Sequence, residues 1–215
     1  MTVPRLSLSK LHFPITALGP GRRIGIWFQG CSIRCAGCMS RDTWSFSRAG
    51  EPVETVVARI TPWLAEADGV TISGGEPFDQ PEGLLALLAG LRQSFDGDVL
   101  AYSGYAFGVL EAAHGRALSL IDALISEPFV EALPTDRPIR GSANQRLHLL
   151  TALGAERFAG LDTARAGSLD LVSGADGSVW IAGVPRRGDL HRLSHILATR
   201  GIRLATSAGR MGGAS

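Results

Sequence analysis

"RIGIWFQGCSIRCAGCMSRDTW", residues 23–44, runs from an apolar segment through a glycine into all three cysteines of the 215-residue chain. Its first part, 23–30, is short, apolar and closed by Gly30, the pattern of a buried strand. Its second part spaces Cys31, Cys35 and Cys38 as C-x3-C-x2-C. Two further segments repeat the same plan of strand into glycine turn: "GVTISGGEPFD" (69–79) and "DVLAYSGY" (98–105). Between and after them lie helical patterns. In "EPVETVVARITPWLAEA" (51–67), Val53, Val56, Val57, Ile60 and Leu64 share one face, with Pro62 expected to bend or split the helix. "QPEGLLALLAGLRQSF" (80–95) starts near Pro81 and repeats leucine at helical spacing. A shorter helical stretch falls at 106–113, and "LSLIDALISEPF" (118–129) holds a further buried strand at Ala123–Ser126.

Strand, loop and helix in alternation predict an α/β fold with a parallel sheet and helices outside it. In such sheets chemistry collects at the carboxyl ends of the strands. The cysteine loop, Ser73–Pro77 and Ser103–Tyr105 each follow a predicted strand, so all three are expected on one sheet edge.

Bulk properties narrow the class. Apolar residues are 45% of the chain and charged residues 19%, with a net charge of +1, so no strong field points to nucleic acid or a membrane surface. Lys10 is the only lysine, which reads as genomic codon bias. The N-terminal "MTVPRLSLSKLHFPITALG" is broken by two prolines and is not a secretory signal. No apolar run approaches the roughly 18 residues of a membrane span. A cytoplasmic location is therefore expected. There, three clustered cysteines point to metal binding or redox chemistry, and an odd number leaves one thiol outside any disulfide.

The C-terminal region changes style. "GLDTARAGS" (160–168) reads as a linker and "LDLVSGADGSVWIAG" (169–183) as a hairpin around Asp176-Gly177. "GDLHRLSHILATRG" (188–201) reads as a helix capped by Asp189, ended by Gly201 and buried along Leu190, Leu193, Ile196 and Leu197. The expected organisation is a core at 1–159, then at 160–215 a linker and a β-β-α-β appendage with a disordered tail.

Structural zinc wants four converging ligands. His12, His114, His148, His191 and His195 all lie far from the cysteines in sequence and lack paired zinc spacing. Electron-carrying iron–sulfur clusters ordinarily use four cysteines. A four-iron cluster on three thiolates leaves one iron free to bind a small chelating molecule, by the logic of open catalytic metal sites.

C-x3-C-x2-C joined to "SGGEP" resembles the radical S-adenosylmethionine (SAM) superfamily, whose fourth iron is chelated by SAM. In that family the glycine-glycine-glutamate turn binds the methionyl end of SAM. Further segments resemble activating enzymes of glycyl radical proteins: "GPGRRIGIWFQGC" (19–31), "CMSRDTW" (38–44) and "AYSGY" (101–105). "LISEPFVEALPTDRPIRGSANQR" (124–146) is similar to a segment of the activase of anaerobic ribonucleotide reductase. The resemblance covers about residues 5–150. It departs at Ser40, where asparagine is usual, at Met39, and at Ser126-Glu127, where Asp-Gly is usual.

The resemblance implies a partial parallel (β/α)6 TIM-like barrel with a small C-terminal α+β appendage. It implies a [4Fe–4S] cluster on Cys31, Cys35 and Cys38. SAM would lie near Met39, Ser73, Gly74, Gly75, Glu76, Pro77, Ser103, Gly104, Tyr105 and Asn144. A bulky residue at Gly75 is then expected to spare the cluster and weaken SAM binding. The implied activity is reductive SAM cleavage and hydrogen abstraction, from a partner polypeptide such as a glycyl radical protein. Flavodoxin or ferredoxin would supply the electron; neither nucleic acid nor membrane is implied. Two alternatives stand beside it: another radical SAM modification of a peptide or small molecule, and a non-catalytic iron–sulfur or electron-transfer protein.

Overall fold

The computed structural model describes residues 3–47, 49–161, 169–173, 179–186 and 188–201. After β1 (Arg5–Leu6), β2 (Leu8–Ile15) leads into β3 (Arg23–Phe28), whose six residues are all buried. Both faces of β3 are covered. Ile24, Ile26 and Phe28 enter the main core, while Trp27 packs with Ile15 and Leu18 on the other side. The cysteine loop follows, then β4 (Glu51–Pro52), which pairs with β1, and α1 (Val53–Leu64). Next come β5 (Gly69–Gly74), α2 (Pro81–Leu91), β6 (Asp98–Tyr102), α3 (Phe107–Leu118), β7 (Ala123–Ser126), β8 (Arg146–Leu149) and α4 (Ala152–Arg157). Six strands form one sheet in the order β2-β3-β5-β6-β7-β8.

The sheet corrects one part of the expected partial parallel (β/α)6 barrel, the all-parallel pairing of its strands. β3, β5, β6 and β7 are parallel neighbours, but β2 and β8 lie antiparallel at the two edges. Parallel pairing needs a crossover, usually a helix. α1, α2 and α3 supply those crossovers, whereas residues 16–22 and 127–145 hold no helix and fold straight back. Among the described residues the sheet is open, a mixed α/β architecture with a mostly parallel centre.

The helices follow the predicted apolar spacing. Pro62 does not split α1, and only Trp63 and Leu64 follow the hydrogen bond that its missing N–H removes. α2 begins at Pro81, as expected. α3 extends beyond the predicted stretch to Leu118 and kinks at His114, whose ring lies against Phe78 at 5.2 Å.

At the amino end of the parallel strands, Arg23 and Asp98 are wholly buried together. Arg23 Nη2 and Nη1 donate to the Asp98 carboxylate at 2.6 and 3.1 Å, and Nε donates to Thr71 Oγ1 at 2.7 Å. Arg157 Nε reaches the same carboxylate at 3.2 Å. Removing one partner strands a buried charge, which costs about 3–5 kcal/mol. Asp98→Asn is therefore expected to lower unfolding free energy by about that amount, read from the urea midpoint with an unchanged m-value.

β9 (Leu169–Ser173) and β10 (Val179–Gly183) form the expected antiparallel hairpin, and α5 (Asp189–Ala198) follows. The expected turn at Asp176-Gly177, most of the expected linker, and the expected last strand and tail lie outside the described residues. Gly188, with φ +88°, caps α5 in place of Asp189. Asp189 is instead the first helical residue, and its carboxylate accepts from Arg186 N at 2.8 Å. Gly201 ends the helix in the left-handed region, as expected. The stripe of Leu190, Leu193, Ile196 and Leu197 is not buried. Ile196 is 53% exposed, because no other helix or strand among the described residues packs broadly along α5.

Two contacts dock the hairpin on the sheet. The Asp170 carboxylate accepts from Thr16 N, Thr16 Oγ1 and Ala17 N at 2.6, 2.7 and 2.9 Å. Trp180 meets Trp27 edge-on at 5.0 Å and His12 at 5.6 Å. Among the described residues no helix is long and apolar enough to cross a membrane.

Candidate functional site

β3 delivers the cysteine loop through Gln29 and Gly30. The loop is tied back on itself: Gly30 N donates to Thr43 O at 2.7 Å and Cys31 N to Trp44 O at 3.2 Å. A tight turn closes the second half, with Cys38 N donating to Cys35 O at 3.2 Å. All three cysteines are free thiols, Cys31 buried and the other two half-buried. Burial pushes the Cys31 and Cys35 thiols up, so the thiolates need a cation to offset desolvation.

β5 ends at Gly74, and the turn after it is pressed against the cysteine loop. Gly75 N donates to Phe28 O and Glu76 N to Gly30 O, both at 2.8 Å. A Cβ on Gly74 would come within 2.5 Å of Phe28 N, and one on Gly75 within 2.0 Å of Gly30 O. Gly74 also sits at φ +100°. Glycine is thus required here by the chain's own backbone, before any ligand enters.

Glu76 lies beneath this turn, 1% exposed. Its Oε1 accepts from Ser103 Oγ at 2.9 Å and Phe78 N at 3.1 Å, and its Oε2 from Gly104 N at 2.7 Å. The carboxylate therefore braces the turn after β5 against the turn after β6. Burial, only partly offset by these donors, pushes its pKa up to about 7. Its folded-state pKa lies above the unfolded one, so the folded chain holds this proton longer and loses stability as pH rises between the two. The stability of wild type relative to Glu76→Gln is expected to be greatest below about pH 4.5 and to shrink up to about pH 7, as urea titrations at each pH would show.

Of the predicted residues, Cys38, Met39 and Ser73 line one cavity of about 1020 Å³ with Trp27, Tyr102 and Arg140, while the others lie in the turns beside it or, for Asn144, in the 127–145 segment. Pro77 is buried in the short turn that follows Glu76. Gly104 lies against Ile33 of the cysteine loop, since a Cβ there would sit 2.6 Å from Ile33 Cδ1. Tyr105 turns its hydroxyl to Asp79 and Ser32 at 2.7 and 2.9 Å. Asn144 sits in the 127–145 segment, where Nδ2 donates to Pro128 O at 2.7 Å. Its Oδ1 is buried without a hydrogen-bond partner among the described residues.

Sequence reasoning missed Tyr102, Arg140 and the wall made by the hairpin. β10 lines the cavity through Trp180 and Ile181. Tyr102 was detectable from strand alternation, being two residues beyond Leu100 on the same face. The hairpin wall had no local signal, because it depends on the Asp170 and Trp180 contacts made more than 150 residues along the chain.

Among the described residues, no three His, Cys, Asp or Glu donors converge on a single ion position, as zinc would demand. Thiolates on separate irons of a cluster need not converge in that way. Three soft donors of one kind, with no fourth cysteine in the chain, fit a cluster with one iron left to a small ligand.

A family profile described as a 4Fe-4S single cluster domain matches residues 17–148. The anaerobic ribonucleoside-triphosphate reductase-activating protein of Salmonella typhi is 30% identical over 150 residues, spanning 65% of this chain and 96% of its own. Its Escherichia coli K12 counterpart is 29% identical over the same span and shares. Pyruvate formate-lyase-activating enzyme of Clostridium pasteurianum is 34% identical over 98 residues, 43% of this chain and 41% of that protein. The chain belongs to the 4Fe-4S single cluster domain family, within the activating-enzyme group of radical SAM enzymes, whose cofactors are a [4Fe–4S] cluster and SAM.

Proposed function

We propose that this chain activates a partner polypeptide of the glycyl radical class by removing a hydrogen atom from a backbone glycine. One observation carries the reading: the cysteine loop, the Gly74-Gly75-Glu76 turn and the Ser103–Tyr105 turn follow three adjacent parallel strands and bond to one another at one sheet edge. The family profile, which matches residues 17–148, spans all three segments.

In this reading Cys31, Cys35 and Cys38 hold the cluster. Ser73, Gly74, Gly75, Glu76 and Pro77 form the turn for the methionyl end of SAM. Met39, Ser103, Gly104 and Asn144 surround the rest, the orphaned Asn144 Oδ1 offering an acceptor for a ligand N–H or O–H. Together the two cofactors supply reductive cleavage of a carbon–sulfur bond and a radical able to abstract hydrogen. The protein holds the reacting groups in line and keeps water out, with Trp27, Tyr102 and Trp180 as apolar walls. One electron would come from a flavodoxin or ferredoxin in the cytoplasm. The core at 1–159 would carry the chemistry on a partial barrel, and the appendage at 160–215 would shape access.

A second reading, radical modification of a different peptide or a small molecule, is favoured by the hairpin. It walls the cavity yet lies beyond the stretch matched by the family.

Anaerobic reconstitution, dithionite reduction and addition of SAM test the proposal. Release of 5′-deoxyadenosine, with a glycyl radical signal on a co-incubated reductase, is the expected result. An intact SAM pool overturns it, and cleavage with no radical on the reductase selects the second reading.

A further inference from the structure

Ser32 is an exposed residue between the first two cysteines, and the cluster chemistry assigns it nothing. Yet both of its donors are engaged. Its N–H donates to Asp79 Oδ2 at 2.7 Å and its hydroxyl to Asp79 Oδ1 at 2.9 Å. The Tyr105 hydroxyl donates to the same Oδ1 at 2.7 Å and lies 2.9 Å from Ser32 Oγ. One carboxylate, on the turn just past Glu76, therefore takes three donors from two other loops. Hydrogen bonds to an ionised acceptor are the stronger kind.

The topology explains why this matters. Ser32 follows β3, Asp79 follows β5 and Tyr105 follows β6, three neighbouring strands. Glu76, three residues before Asp79, joins the second of these loops to the third through Ser103 and Gly104. Asp79 joins the first loop to both. The two carboxylates close a ring of three loops, and without Asp79 the Ser32 side chain would keep only its 2.9 Å contact with the Tyr105 hydroxyl.

We infer that Asp79, with Ser32 and Tyr105, is a latch that positions the cysteine loop against the SAM-binding turn before the cluster is loaded. The inference rests on the radical SAM reading, and it moves Tyr105 from SAM contact to positioning residue. An ordered loop has already met the entropy cost of fixing its backbone, so the thiols are presented ready for iron.

The test compares wild type with Asp79→Asn, Ser32→Ala, Tyr105→Phe and the Asp79→Asn/Tyr105→Phe double variant, each as the full chain. Amide hydrogen exchange over 31–38 is read in the apoprotein, and bleaching of the reconstituted cluster by an iron chelator in the holoprotein. Asp79→Asn is expected to raise exchange across the loop and to bleach about tenfold faster, the scale of one lost charge-assisted bond. Ser32→Ala follows in the same direction, Tyr105→Phe less so, and the double variant is no worse than Asp79→Asn alone. SAM affinity of cluster-loaded Tyr105→Phe stays at the wild-type value. Wild-type exchange and bleaching in both Asp79→Asn and Ser32→Ala overturn the latch, as does a Tyr105→Phe variant that loses SAM affinity with its cluster intact. Should Asp79→Asn not fold, Ser32→Ala, at an exposed position, decides. Failure of wild type to take up a cluster counts against the radical SAM reading, while exchange in the apoprotein still judges the latch.

Discussion

Cys35→Ala will stay colourless after anaerobic reconstitution and will release no 5′-deoxyadenosine from SAM, while its far-UV circular dichroism matches wild type. The loss is complete because the chain has no substitute ligand. Its three cysteines all lie in this loop, and the five histidines are committed elsewhere or distant in sequence. His148, for example, is bonded to Ser126 Oγ at 2.9 Å and stacked on Phe107 at 4.1 Å. The fold survives because Cys35 is only half-buried and the cysteine loop sits outside the main core, which is built from strands and helices such as Ile26, Ile72, Leu84 and Leu87. Loss of the cluster therefore tests ligation apart from folding. A brown Cys35→Ala protein that still cleaved SAM would remove Cys35 from the ligand set.

The convergence of three loops was legible because its cause is local. An apolar run ending in glycine marks a strand and its exit, and the sheet then brings equivalent exits together. Buried Ile24, Ile26 and Phe28 and the paired Val70 and Ile72 show why those runs were strands. What stayed hidden has causes at long range. The antiparallel edges follow from connections without helices, and a 19-residue loop such as 127–145 could as readily have carried one on spacing alone. The Glu76 and Asp79 braces join residues more than 25 apart in sequence, where no periodicity operates. The stripe on α5 shows the opposite failure. Leu190, Leu193, Ile196 and Leu197 have helical spacing, but spacing states only that a face is apolar, not that anything covers it.

The same distinction between local pattern and long-range contact changes what is expected of Gly75→Val. From family resemblance the variant should keep its cluster and only weaken SAM binding. The structure puts the new Cβ 2.0 Å from Gly30 O, and a backbone carbonyl cannot swing aside as a side chain can. Gly30 is the residue before Cys31, and its carbonyl also accepts the Glu76 N–H at 2.8 Å. Relief of the collision must therefore push apart the very loops that the fold holds together, breaking that hydrogen bond and shifting the first ligand. Overpacking by about 1–3 kcal/mol corresponds to about a five- to 150-fold loss, expected both in SAM affinity and in resistance of the cluster to chelation. Gly108→Ala supplies the matched control. Its Cβ meets nothing within 4 Å, and it sits in α3, where alanine favours the helix by about 1 kcal/mol. Wild-type cluster content in Gly75→Val, measured beside that control, would show that the turn yields without disturbing Cys31. The glycine pair would then serve SAM alone.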